Sequence, residues 1–209
     1  MKRIMLCLAI SVGFVAFGAL YASAAVVYDN GGPDLSGSAW GITYPYFSST
    51  DDFTLSQATT ISDVHFWGNS NTNPSIGIYW YIYADSNQVP GSLVSSGQGT
   101  NIIQTPTGNP NYLEVEYSFD ISNPVTLNNG TYWLQLQAIP ATSEYIYWET
   151  TASNHGSGAR LNAYGQTYPL NVDLAFYLTG TTVPEPSTML LLGSGLVGLV
   201  GYGRRRMKK

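Results

Sequence analysis

His65 and His155 are the only imidazoles in the 209-residue chain, and neither lies in an HExxH, GxSxG or P-loop setting. Metal-dependent hydrolysis and triad catalysis depend on such spacings to hold a base beside a metal or nucleophile. Gly193-Ser194-Gly195-Leu196-Val197-Gly198 spells a dinucleotide-like pattern, but no strand signal precedes it. Carboxylates offer the remaining catalytic chemistry, because a glycosidase needs two of them about 5–10 Å apart across a cleft. Asp51 and Asp52 are adjacent and point to opposite faces of a strand, while Glu114 and Glu116 share one face. Solvation accounts for both pairs, so no residue is assigned a catalytic role, and a polysaccharide-cleaving enzyme is the weakest of the functional readings.

Binding chemistry is better represented. Fourteen tyrosines and five tryptophans lie between Ala25 and Gly180, more than a core of this size requires. Tyr79, Tyr81 and Tyr83 alternate with Ile78, Trp80 and Ile82, which sets the tyrosines on one face at intervals of about 6.6–6.8 Å. Trp133 with Gln135 and Gln137 forms a second mixed face. Rings beside amides suit sugars, whose apolar faces stack while their hydroxyls find polar partners. Two oxygen-rich loops, Asp29-Asn30 with Asp34 and Asp85 with Asn87, are candidate Ca²⁺ ligands, although neither matches an EF-hand loop. No other cofactor is expected.

The elements that must position these groups read as strands. Period-two alternation recurs with turn signals between, and no segment of the body shows a 3.6-residue period. Strands are predicted at Val26–Tyr28, Ala39–Tyr44, Phe53–Leu55, Thr60–Trp67, Ile76–Tyr83, Leu93–Ser96 and Tyr112–Phe119. Further ones follow at Val125–Leu127, Thr131–Leu136, Tyr145–Thr150, Arg160–Ala163 and Val172–Leu178. Asp85-Ser86-Asn87 and Asn128-Asn129-Gly130 carry hairpin chemistry. The expectation is an all-β fold, an antiparallel β-sandwich of jelly-roll type, formed by one domain over residues 25–180.

Charge is segregated along the chain. Seven of the eight Lys and Arg residues lie in the termini, leaving Arg160 alone against twelve Asp and Glu between Ala25 and Gly180, a balance of 1 − 12 = −11. Such a surface repels phosphate backbones, so nucleic acid is not a partner. Lys2 and Arg3 precede an uncharged run from Ile4 to Tyr21, and Ala22-Ser23-Ala24 forms a signal-peptidase pattern with Ala25 as the mature start. Residues 1–24 are therefore read as a signal peptide. Cys7, the only cysteine, lies in that segment, so the exported body has no disulfide or thiolate site. At the other end an uncharged run is closed by Arg204-Arg205-Arg206-Met207-Lys208-Lys209, a stop-transfer pattern whose basic end stays cytoplasmic. Met189 to Tyr202 spans only about 21 Å as a helix, short of a hydrocarbon core of about 30 Å. It suits a transient hold in the inner membrane.

Pro184-Glu185-Pro186, the short apolar segment and Arg204-Arg205-Arg206, in this order, closely resemble the PEP-CTERM sorting signal of Gram-negative bacteria. That resemblance implies that residues 181–209 form a sorting region cut by an exosortase, with delivery of the body to the cell surface or extracellular matrix. Asp51-Asp52-Phe53-Thr54-Leu55, Val64-His65-Phe66-Trp67-Gly68, Gly130-Thr131-Tyr132-Trp133-Leu134 and Asp173-Leu174-Ala175-Phe176-Tyr177-Leu178 resemble a recurrent β-sandwich module of secreted bacterial proteins. The module implies fold and location, and brings no catalytic residues. The combined expectation is a secreted, non-enzymatic protein with a structural or adhesive role; the alternative is a carbohydrate-binding module for extracellular polysaccharide.

Overall fold

The computed structural model describes residues 24–69, 76–109, 113–140, 145–153, 155–183 and 192–196. Thirteen strands make up the body: β1 (Ala25–Asp29), β2 (Ala39–Gly41), β3 (Phe47–Leu55), β4 (Thr59–Asn69), β5 (Ile76–Asp85), β6 (Pro90–Pro106) and β7 (Glu114–Leu127) come first. They are followed by β8 (Gly130–Pro140), β9 (Tyr147–Thr151), β10 (Arg160–Ala163), β11 (Gln166–Pro169), β12 (Asp173–Leu174) and β13 (Phe176–Thr182). The pairing between these strands is antiparallel throughout, in the order β1-β13-β4-β7-β6-β5-β8-β3-β10-β11, with β9 joining β4, β2 and β12 off that path. The all-β expectation is met, in the form of one curled sheet whose two halves enclose a common core.

The curl is made by β6. Up to Gln98 this strand pairs with β5, and from Gly99 onward it pairs with β7. A register irregularity between Thr100 and Ile103, with Asn101 at φ 49°, bends it at the switch. Two glycines make the bend possible, because large rings lie directly against them. A Cβ on Gly97 would lie 2.9 Å from the Trp80 ring, and one on Gly99 would lie 2.6 Å from the Phe119 ring.

Alternation sorts the side chains as predicted for β5: Ile78, Trp80 and Ile82 are buried, and Tyr79, Tyr81 and Tyr83 are half-buried on the other face. The core adds Phe53, Val64, Phe66, Tyr117, Phe119, Leu134, Leu136, Trp148 and Phe176 from both halves. Truncating one such aromatic to Ala costs about 3–5 kcal/mol. Tyr28 ties the halves together, its ring 5.8 Å from Phe53 in β3 and 5.6 Å from Phe176 in β13.

Local turn chemistry is obeyed once and overridden once. β5 and β6 form the expected hairpin, closed by Asn87 at φ 57° and Gln88 at φ 65°, with Ser86 N–H donating to Val89 O at 2.9 Å. Asn128-Asn129-Gly130 does not form a hairpin: β7 pairs with β4 and β6, whereas β8 pairs with β5 and β3. The connection crosses from one half to the other beside the β3–β4 connection, with Leu127 opposite Thr59 and Gly130 opposite Leu55. β13 runs on to Thr182, and Val183 N–H donates to Ala58 O at 2.8 Å, so the segment expected to be a spacer after Gly180 begins as sheet. Ala25, the expected mature start, pairs with Gly180, which brings both ends of the body to one sheet edge. Residues 192–196 are helical, and among the described residues no helix is long and apolar enough to cross a membrane. Ala22, Pro184, Glu185, Pro186, Arg204, Arg205 and Arg206 lie outside the described residues.

Candidate functional site

The register joins the two aromatic faces read from the sequence into one. Tyr79, Tyr81 and Tyr83 of β5 stand opposite Gln137, Gln135 and Trp133 of β8. Gln135 stands opposite Thr50 of β3, which stands opposite Arg160 of β10. Facing residues in paired strands share a side, so Tyr81, Gln135, Thr50 and Arg160 lie on one side of the sheet, with Thr50 itself fully buried against Gln135 and Asn162. The Tyr81 and Tyr83 rings are stacked, 6.4 Å apart at 22°. Burial, with the neighbouring Tyr81 hydroxyl, pushes the Tyr83 hydroxyl above its ordinary pKa.

A groove of about 510 Å³ opens on this face, lined by Tyr83, Pro90, Gln135, Arg160, Asn162 and Thr167. Its polar groups are held in place by one another. Asn162 Nδ2 donates to Gln135 Oε1 at 3.3 Å, and Thr167 Oγ1 donates to Asn162 Oδ1 at 2.6 Å. Arg160 Nη2 donates to Gln88 O at 2.6 Å, while its buried Nε has no partner among the described residues. The groove thus presents a tyrosine, amides, a hydroxyl and the one Lys or Arg side chain of the body.

Trp133 is not part of the open surface. It is 0% exposed, roofed by the Arg160 guanidinium 5.3 Å from its ring centre, and its Nε1–H donates to Asp85 Oδ1 at 2.9 Å. It supports the groove from below, and the sequence-based expectation that it stacks on a ligand is corrected.

The Asp51-Asp52 pair is also corrected, because neither residue is solvated: they are 0% and 3% exposed. Asp51 Oδ2 accepts from Asn30 Nδ2 at 3.0 Å and from Leu174 N–H at 2.7 Å. Asp52 Oδ1 accepts from Ser157 N–H at 2.8 Å, and Asp173 Oδ2 accepts from His155 N–H. Burial pushes all three carboxyls above the ordinary range; for Asp51 the Leu174 N–H opposes this, and the Asp173 and Asp52 charges add to it. Tyr28 is raised for the same reason, first by burial and then by Asp51 and Asp52. This cluster ties β1, β3, β12 and the His155 loop together, which is a structural task.

Glu114 and Glu116 do not share a solvated face. Glu116 accepts from Tyr177 Oη at 2.9 Å and contacts His65 Nδ1 at 3.4 Å, with the His65 and Tyr177 rings stacked at 4.1 Å. Glu114 is 5% exposed and lies against Glu149, itself 4% exposed. Burial, then the charge and hydrogen bond of Glu114, push Glu149 up to about 7.

The calcium candidates are separated and engaged. Asp29 Oδ1 accepts from Gly31 N–H, Asn30 is committed to Asp51, and Asp34 accepts from Ser36 N–H and Thr150 Oγ1. Asp34 stays below its ordinary value because, against the cost of burial, the Ser36 and Thr150 donors prevail. Asp85 holds Trp133, and Asn87 supplies the hairpin turn. Among the described residues, no three His, Cys, Asp or Glu side chains are grouped to hold a metal ion.

One aromatic surface escaped the sequence reading. Tyr46, Phe47, Tyr145, Tyr147 and Tyr164 form a chain of ring contacts 5.5–6.4 Å apart. Tyr164 is 76% exposed. The density of rings in Tyr44-Pro45-Tyr46-Phe47 was the available signal, but no alternation pointed to a shared face.

Comparison with known families finds that residues 182–206 match the PEP-CTERM protein-sorting motif. The match begins at the last residue of β13. Among curated proteins, none matches the chain.

Proposed function

From this chain as a PEP-CTERM protein, exported and targeted to exosortase, we propose that its body is a non-enzymatic component of the cell surface or extracellular matrix that holds extracellular polysaccharide. Tyr81 and Gln135, half-buried and facing one another beside the 510 Å³ groove that Arg160 helps to line, carry this reading. Half-buried rings give a sugar its stacking surface, and the fixed amides and Arg160 address its hydroxyls. The role is structural or adhesive: the buried carboxylates are committed to joining strands, which leaves the outer face for recognition.

In this reading a signal peptidase cuts before Ala25, the apolar tail segment holds the protein briefly in the inner membrane, and exosortase releases the body. The binding proposed does not call on calcium; Asp29, Asp34 and Asp85 each accept a hydrogen bond within the protein.

The test is co-sedimentation of the processed protein with the producing organism's extracellular polysaccharide. Saturable binding that falls at least tenfold in Tyr81→Ala/Gln135→Ala supports the proposal. Binding unchanged by that double substitution removes this face, and turnover of the polysaccharide by the protein removes the non-enzymatic reading.

A further inference from the structure

A second cavity, of about 430 Å³, lies at the bend of β6 and is separate from the tyrosine–amide groove. Ser95, Gln98, Thr100, Ser122 and Asn123 line it, and Trp80 lies at its inner side. None of these residues is titratable. Thr100 Oγ1 lies 3.3 Å from Ser122 Oγ and 3.3 Å from the Asp120 carbonyl oxygen, which fixes two hydroxyls at the mouth.

Trp80 gives the cavity its direction. The residue is 4% exposed, and its Nε1–H is a buried donor with no acceptor among the described residues. A buried donor left unpaired costs about 1–3 kcal/mol. It sits beside Gly97, another cavity residue, whose absent side chain would lie 3.2 Å from that nitrogen. The bend of β6 therefore leaves the buried, unpaired indole N–H against the Gly97 backbone, beside a polar hollow that both residues line.

We infer that this cavity is a binding site for a neutral sugar residue, with Trp80 Nε1–H donating to a ring or hydroxyl oxygen and the Ser, Thr and amide groups meeting the remaining hydroxyls. The absence of a cation among the lining residues, in a body of formal charge −11, selects against uronic acids and other anions. An indole edge with hydroxyl and amide partners fits a polyol better than an apolar ligand. The site is built from β5, β6 and β7, and stands independently of the reading of the outer face.

The experiment is NMR titration of the ¹⁵N-labelled processed protein with glucose, mannose, N-acetylglucosamine and glucuronate, following the Trp80 indole resonance. Expected is a saturable shift with at least one neutral sugar, with a Kd of about 1 mM, and at least fivefold weaker response to glucuronate. Ser122→Ala/Asn123→Ala, at exposed positions, should weaken the neutral sugar about tenfold while the melting temperature stays unchanged. Trp80→Phe should weaken it further, with folding checked by the same spectrum. The inference is overturned if the indole resonance stays fixed up to about 100 mM of each sugar. It is equally overturned if the shift survives Ser122→Ala/Asn123→Ala, or if only resonances of Tyr79, Tyr81 and Tyr83 move.

Discussion

Replacing Glu149 with Gln should stabilise the protein above neutral pH and leave it nearly unchanged in mild acid. Glu149 is 4% exposed, lies against Glu114, and is pushed from an ordinary 4.5 to about 7. A carboxyl whose folded value is raised binds more protons in the folded state. Its contribution is therefore whole below pH 4.5, declines as pH rises from there through about 7, and is lost beyond. At about 1.36 kcal/mol per pH unit, the distance from 4.5 to about 7 sets a ceiling of about 3 kcal/mol. Relaxation around the buried pair and water penetration lower this to about 1–3 kcal/mol. The assay is urea denaturation of wild type and Glu149→Gln at pH 4.5 and pH 8. The difference between the two proteins at pH 8, less that at pH 4.5, isolates this pair from the other raised carboxyls, Asp51, Asp52 and Asp173. A double difference near zero, or wild type gaining stability between pH 4.5 and 8, would refute the reasoning.

Three further expectations follow from the fold. Gly99→Ala should lower stability by about 1–3 kcal/mol, since its Cβ would lie 2.6 Å from the Phe119 ring; a denaturation midpoint equal to wild type would contradict the tight crossing of β6. A chain ending at Gly180 should be less stable than one ending at Val183 by about 1–3 kcal/mol, because it loses the Thr181–Thr60 and Thr182–Thr59 pairs and the Val183–Ala58 hydrogen bond. Equal melting of the two chains would show that this end adds nothing. The melting temperature should be the same in millimolar Ca²⁺ and in chelator; a clear rise with Ca²⁺ would reveal a native-state ion site.

Much of the fold was legible because its signals are local. β5 alternates strictly, and the hairpin that follows needs only Asn87 and Gln88 to adopt positive φ. The Asn128-Asn129-Gly130 turn misled because turn chemistry says how a chain bends, and not which strand it meets afterwards. β6 was read as four residues, Leu93–Ser96, and spans Pro90–Pro106, because a strand that changes partners midway loses its alternation at the bend. The carboxylates were the larger failure. Charged residues belong in water by default, and what holds Asp51 and Asp52 inside are the Leu174 and Ser157 N–H groups, both distant in sequence. The same holds for Trp133, whose covering groups Arg160 and Asp85 arrive from other strands. The shared face of the tyrosines could be read from period two alone. Its union with Gln135 and Gln137 needed the β5–β8 register.

Hydroxyl-radical footprinting of the processed protein, free and bound to its own extracellular polysaccharide, tests the central claim most directly. The account predicts protection of Tyr79, Tyr81 and Tyr83, with Tyr46, Tyr145, Tyr147 and Tyr164 as reactive as in the free protein. Protection confined to that second aromatic surface, or none at saturating polysaccharide, would contradict it.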